Sequence, residues 1–285
     1  MTSTFAYALD PGSRKEQQDA VFAEESKEYG LSFFVLCDGA GGHGGGAEAS
    51  RAVVNYAGTL WDHVTGALSR GDEFKGEDFL QYFFDKANEK VVQAGEQYGG
   101  DSKAVVVALL RWDGMLYWGH MGDSRLYLVE NGKTIHRTLD HSAAQAAVNQ
   151  NEITEEELPH FKGKNEVFRA LGFVESCKPE LRCMKDAPDK CRFAILCSDG
   201  FWGPLEKRRW KIDIQPKYDL KDWARFHIQE ARKLGGENAD NLSVVVARFG
   251  KPRRKSSLNT VLFLCSCLLI GVLCGLVIAL ITGRL

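Results

Sequence analysis

The sequence predicts an α+β domain built on antiparallel strands and followed by one membrane-spanning helix, and three observations predict it. Short β-branched or aromatic runs between residues 104 and 138 follow one another with no helix between them, which favours antiparallel pairing over alternating βαβ units. Two earlier segments carry apolar residues at helical spacing. Near the C-terminus, residues 261–281 hold no charge and are dominated by Leu, Val, Ile, Phe and Cys.

Taken in chain order, the first apolar run covers 32–37 and stops at Asp38-Gly39. A glycine cluster at 39–46 leads into a helix in which Ala49, Ala52, Val53, Tyr56, Ala57, Leu60 and Val64 follow the helical spacing. A second helix aligns Leu80, Phe83, Phe84, Ala87 and Val91. Strands are predicted at 104–112, 115–121, 125–130 and 133–138. Asn131-Gly132 joins the last two, and its tolerance of positive φ marks a hairpin. Residues 139–190 are more irregular and polar and read as a flap-like insertion beside the core. Strands at 193–198 and 242–249 then enclose a third helix at 219–234. The domain is expected to span 1–250, with a basic juxtamembrane linker at 251–260 and the membrane helix at 261–281.

That last run is long enough to cross a hydrocarbon core of roughly 30 Å, and it is apolar on every face, unlike a core helix. The basic residues Lys251, Arg253, Arg254 and Lys255 precede it, so the positive-inside rule puts residues 1–250 on the cytoplasmic side. Gly271 and Gly275 form a G-x-x-x-G spacing through which two such helices can dimerise. The first twenty residues contain Asp10, Arg14, Lys15, Glu16 and Asp19 and no apolar stretch, so no signal peptide is expected.

Charge narrows the function classes. Residues 251–285 hold five of the chain's 36 basic residues and no acidic one, which leaves 31 basic against 38 acidic residues in 1–250, a net charge of −7. Such a domain has no broad footprint for nucleic acid. Of the eight cysteines, five precede residue 251 and no two form a C-x-x-C pair, so a reducing compartment fits better than a disulfide framework or a zinc site.

The chemistry follows from position. The apolar runs 33–37 and 193–198 both end at an Asp-Gly, Asp38-Gly39 and Asp199-Gly200. Asp240 opens the run at 242–249, and Asp123 lies between two more. Aspartate commonly caps a turn after a strand, so each alone carries little weight. Strand tips converge when sheets pack, however, and like charges gathered there repel unless a cation neutralises them. An all-oxygen cluster suits Mg²⁺ or Mn²⁺ rather than zinc.

An ordered set of blocks gives this pattern a family. G-S-R-K-E-Q-Q-D-A (12–20), V-L-C-D-G-A-G-G-H-G-G-G-A-E-A-S (35–50) and G-H-M-G-D-S-R-L-Y (119–127) come first. D-H-S (140–142), I-T-E-E-E (153–157), R-A-L-G (169–172), L-C-S-D-G-F-W-G (196–203) and A-D-N-L-S-V-V-V (239–246) follow. Together they resemble the motifs of PP2C-type (PPM family) serine/threonine protein phosphatases over about residues 5–249, and the G-G-H variant with the flap-like stretch resembles bacterial members. The resemblance implies a four-layer αββα sandwich of two antiparallel sheets flanked by helices, with a two-metal centre at one end. By position, Asp38 corresponds to the carboxylate bridging the two metals, the Gly39 carbonyl to a ligand of the second, and Asp199 and Asp240 to the remaining ligands of the first. Asp123 corresponds, with Asp199, to a third and weaker metal site, Asp19 to a residue ordering metal-bound water, and Arg14 to the arginine that grips the substrate phosphate. Two cations would activate a water that attacks phosphorus directly.

Departures from the family pattern matter too. Gln18 stands where a glutamate is frequent, Ala40 replaces a histidine or methionine, Gly203 an acidic residue and Lys103 a small one, while His43 reads as structural. The glycine cluster lacks the Gly-Lys-Ser/Thr ending of a phosphate loop, so it reads as a tight turn that presents the Gly39 carbonyl. The expected activity is hydrolysis of phosphoserine and phosphothreonine in proteins at the cytoplasmic face of a membrane, with a cognate serine/threonine kinase as the expected partner. Two rivals are a membrane-bound regulatory protein of the same fold that binds phosphoproteins with weak or no turnover, and a phosphatase of small phosphoesters.

Overall fold

An apolar run without alternation asks for a strand covered on both faces, and this chain has four of them. In the computed structural model, described here for residues 4–250 apart from 42–44, 97, 99–101, 164–165, 173–177 and 188, those runs become the inner strands of two stacked sheets. The chain forms β1 (Phe5–Asp10), β2 (Asp19–Ser26), β3 (Leu31–Ala40), α1 (Gly45–Ser69) and α2 (Gly76–Glu96). Next come β4 (Lys103–Trp112), β5 (Met115–Met121), β6 (Arg125–Glu130), β7 (Lys133–Arg137) and the short α3 (Ala143–Asn149). It closes with β8 (Glu180–Lys185), β9 (Arg192–Cys197), α4 (Asp199–Glu206), α5 (Leu220–Gly235) and β10 (Leu242–Phe249). One sheet has the order β1-β10-β9-β6-β7 and the other β2-β3-β4-β5-β8. Neighbouring strands in both are antiparallel.

Alternation along each inner strand divides the core into three layers of side chains. Phe34 and Leu36 of β3 point between the sheets, with Leu109, Leu126, Leu196 and Val245. Phe33, Val35 and Cys37 point the other way, onto Val53 and Ala57 of α1 and Phe83 and Phe84 of α2. On the far sheet, Phe193, Ile195 and Cys197 of β9 meet Phe201 of α4 and Trp223 and Ile228 of α5. Helices thus cover both outer faces, which is the four-layer αββα arrangement expected.

Local chemistry sets the boundaries. Asp219 caps α5 by accepting the backbone N–H groups of Lys221 and Asp222. Asn131 and Gly132 have φ of 53° and 74°, the two positive values that a tight hairpin between β6 and β7 requires. The strands predicted at 32–37, 104–112, 115–121, 125–130, 133–138, 193–198 and 242–249 are present with ends shifted by at most three residues, as is the helix at 219–234, and the other two helices contain the residues expected in them.

Five elements differ from expectation. β1, β2 and β8 lie at or beside sheet edges, where half-exposed, mixed sequences carry no clear period. The irregular stretch 139–190 therefore ends in a sheet strand and also contains α3. Asp199, read as a strand tip, is the first residue of α4, a helix too short for periodicity to reveal and holding Pro204 in its interior. Residues 261–281, Gly271, Gly275 and His43 lie outside the described residues. Among the described residues, no helix is long and apolar enough to cross a membrane.

Candidate metal centre

Antiparallel pairing puts the ends of β3 and β9 at the same pole as the starts of β2, β6 and β10. Five aspartates arrive there from different elements. Asp19 begins β2 and sits directly opposite Asp38, near the end of β3, in the strand register. Asp123 lies in the turn from β5 to β6, Asp199 follows β9, and Asp240 precedes β10.

Their charges feel one another. Burial, then the charges of Asp19, Asp199, Asp123 and Asp240, push the Asp38 carboxyl well above the usual carboxylate range. Burial and the charges of Asp199 and Asp140 do the same to Asp123. Asp19 is raised to about 7, mainly by burial, with hydrogen bonds from Ser243 and Ser198 working against the rise. The Ser198 hydroxyl donates to Asp19 Oδ2 at 2.8 Å, while Oδ1 is buried with no hydrogen-bond partner.

Glycine and asparagine shape the surrounding backbone. A Cβ on Gly39 would fall 1.9 Å from the Gly46 carbonyl oxygen, so only glycine lets the end of β3 lie against the start of α1. The Asn241 amide ties the loop at 11–18 to β10. Its Oδ1 accepts the Gln18 backbone N–H at 2.7 Å, and its Nδ2 donates to the carbonyls of Pro11 and Glu16 at 2.9 and 3.0 Å. That loop carries Arg14, whose Nη2 donates to Asp240 Oδ2 at 2.9 Å in an exposed ion pair.

The residues present fit hard divalent cations. The donors are all oxygen, the carboxylates are crowded enough to resist ionisation, and a buried Asp19 oxygen has no partner within the protein. No three aspartates bring oxygens to within 4.8 Å of one another among the described residues, and Asp240 Oδ2 accepts from Arg14.

A second group does meet that distance: His120, His141 and Glu180. It suits a cation poorly. The two imidazoles stack face to face, with centroids 4.5 Å apart and planes 8° from parallel, so their in-plane lone pairs run side by side instead of converging. His141 Nδ1 accepts the Gly122 N–H, which leaves the ring proton on Nε2, and the Arg169 guanidinium lies 3.4 Å from that nitrogen. Burial, then His120 and Arg169, lower His141 to about 4, so it is neutral near pH 7.

Sequence reasoning also missed a buried ion network behind the aspartates. Arg125 is fully buried and grips Asp140 with two hydrogen bonds of 2.7 and 2.8 Å. Its Nη1 reaches Glu206 at 2.7 Å and the Tyr127 hydroxyl at 3.0 Å, and its face lies 3.4 Å from the Trp202 ring centroid. Arg125 and Asp140 both stand inside quoted motifs, but nothing in their spacing pairs them.

The comparisons with known proteins agree with this architecture. A family model described as protein phosphatase 2C matches residues 13–243. The serine/threonine phosphatase stp of Listeria innocua is 29% identical over 234 residues, covering 81% of this chain and 88% of its own. The serine/threonine phosphatase PstP/Ppp of Mycobacterium tuberculosis superposes with a TM-score of 0.69 at 27% identity, over 87% of this chain and 98% of that one. A catalytic domain of PstP crystallised with two manganese ions gives a TM-score of 0.66 at 26% identity, over 86% and 97%.

Proposed function

The chain belongs to the protein phosphatase 2C family, and from that premise we propose that it hydrolyses phosphoserine and phosphothreonine in proteins with two magnesium or manganese ions. One observation carries the reading: Asp38 lies under the combined charge of Asp19, Asp123, Asp199 and Asp240, all at one pole of the sandwich.

Asp38, Asp199, Asp240 and the Gly39 carbonyl are the groups that would hold the two ions, and Asp123 with Asp199 would hold a weaker third. When bound, such ions lower the pKa of a water and offset charge on phosphoryl oxygens. Asp19 faces the same pole with one oxygen fixed by Ser198 and the other free to orient that water. Arg14 sits at the exposed rim, where its guanidinium can leave its single bond to Asp240 for a two-point, doubly charged phosphate partner. Gln18 is held by its backbone to Asn241, so its neutral amide replaces the frequent glutamate without disturbing the loop.

Residues 261–281 support a membrane anchor that leaves residues 1–250 at the cytoplasmic face, within reach of phosphoproteins marked by a cognate kinase. Dimerisation through Gly271 and Gly275 belongs to the same proposal.

Asp38→Ala tests the central reading. Manganese-dependent turnover of a phosphothreonine peptide should fall on the order of 10²-fold or more, as should manganese affinity, and chelation should abolish the wild-type rate. Wild-type rates in the variant would remove Asp38 from the mechanism.

A further inference from the structure

Asp123 and Asp199 come from separate elements, and a connection between them reaches beyond the two carboxylates. Asp199 is the first residue of α4, and Trp202, three residues on, is in the same opening turn. The Trp202 indole N–H donates to the backbone carbonyl of Asp123 at 3.0 Å, so the helix that carries one aspartate is fastened to the turn that carries the other. Trp202 is held in turn. Its ring lies against the Arg125 guanidinium, 3.4 Å from centroid to carbon, and Arg125 is locked by Asp140, Glu206 and Tyr127. The Tyr127 hydroxyl donates back to the second Glu206 oxygen at 2.7 Å, which fixes the far end of α4 to β6. The helix is therefore pinned at both ends onto the strand that starts two residues after Asp123. Arg125 and Trp202 are both almost fully buried, so neither can meet substrate.

We propose that Arg125 and Trp202 form a positioning pair that sets the Asp123 turn against the Asp199 end of α4, and so fixes the carboxylate pair that takes the weaker, additional divalent cation. The proposal rests on the metal-dependent reading of the site. It makes the affinity of that ion depend on the indole hydrogen bond through the placement of Asp123, the one carboxylate that the ions on Asp38, Asp199 and Asp240 do not share. Plain core packing would make no such distinction.

Manganese titration of the full-length chain in detergent, followed by calorimetry, tests it. Trp202→Phe keeps a ring over Arg125 and removes the indole donor to Asp123 together with part of the buried ring. The weakest manganese affinity should fall about two- to tenfold, the range expected for one neutral hydrogen bond, while the tighter sites stay close to wild type even where the smaller ring lowers the melting temperature. In an Asp123→Asn background the same substitution should cause no further loss. Unchanged weak-site affinity in Trp202→Phe, an equal loss at every site, or full additivity with Asp123→Asn would overturn the proposal. If the wild-type chain binds no manganese, the phosphatase reading falls and takes this one with it. If it binds normally and only the coupling is missing, this proposal alone fails.

Discussion

Asp19 shows how one buried carboxyl links metal binding to stability. Its carboxyl is raised from 3.8 to about 7 in the folded protein, so the folded state holds a proton that the unfolded chain releases at lower pH. A raised acid stabilises the fold fully below about pH 4 and withdraws that support as pH rises through about 7. Asp38 and Asp123 shift in the same direction. The metal-free protein is therefore expected to lose on the order of a few kcal/mol between pH 5 and pH 8, and manganese should raise its melting temperature most at pH 8. Melts followed by circular dichroism in chelator and in excess metal check this, and a flat metal-free profile would contradict it. Asp38 and Asp123 were legible in the sequence because each adjoins an apolar run that had to be a strand or a turn beside one, whereas Asp19, at the head of the unpredicted β2, was legible only through the family block at 12–20. Arg125 was not. Its partners lie 15 and 81 residues away, and only folding shows that three charged groups share one buried space.

Elements were legible where both faces are covered and obscure where one is not. β3 and β9 announce themselves as unbroken apolar runs because helices and the opposite sheet bury them alike. β2 and β8 pair on one side only, and their mixed sequences resemble loops. The inner strands should accordingly tolerate little. Phe33 is fully buried and meets Phe79 and Phe83 edge to face, at 4.9 and 5.3 Å between centroids. Phe33→Ala should cost about 3–5 kcal/mol in urea denaturation. Gly39→Ala should be harsher than its single methyl suggests, because the clash is with the backbone of α1 and no rotamer relieves it. At least about 1–3 kcal/mol is expected from overpacking, with a loss of manganese affinity in the same titration.

At the scale of the whole molecule, the anchor and the chemistry make separable predictions. Removing residues 251–285 should leave manganese-dependent phosphopeptide hydrolysis within about twofold of the full-length rate, on the order of 0.4 kcal/mol in barrier, and move the protein from the membrane to the soluble fraction. A full-length protein found in the soluble fraction would end the anchor proposal. The course of β10 bears on that truncation. β10 starts beside Asp240 and pairs antiparallel with β9 from Val244 to Phe249, so the main chain reaches Gly250 at the pole opposite the aspartates. Eight residues of extended chain separate the two poles by about 26 Å. A fusion partner joined directly after Gly250 in place of residues 251–285 would therefore begin far from the carboxylates and leave their mouth open to a bulky phosphoprotein.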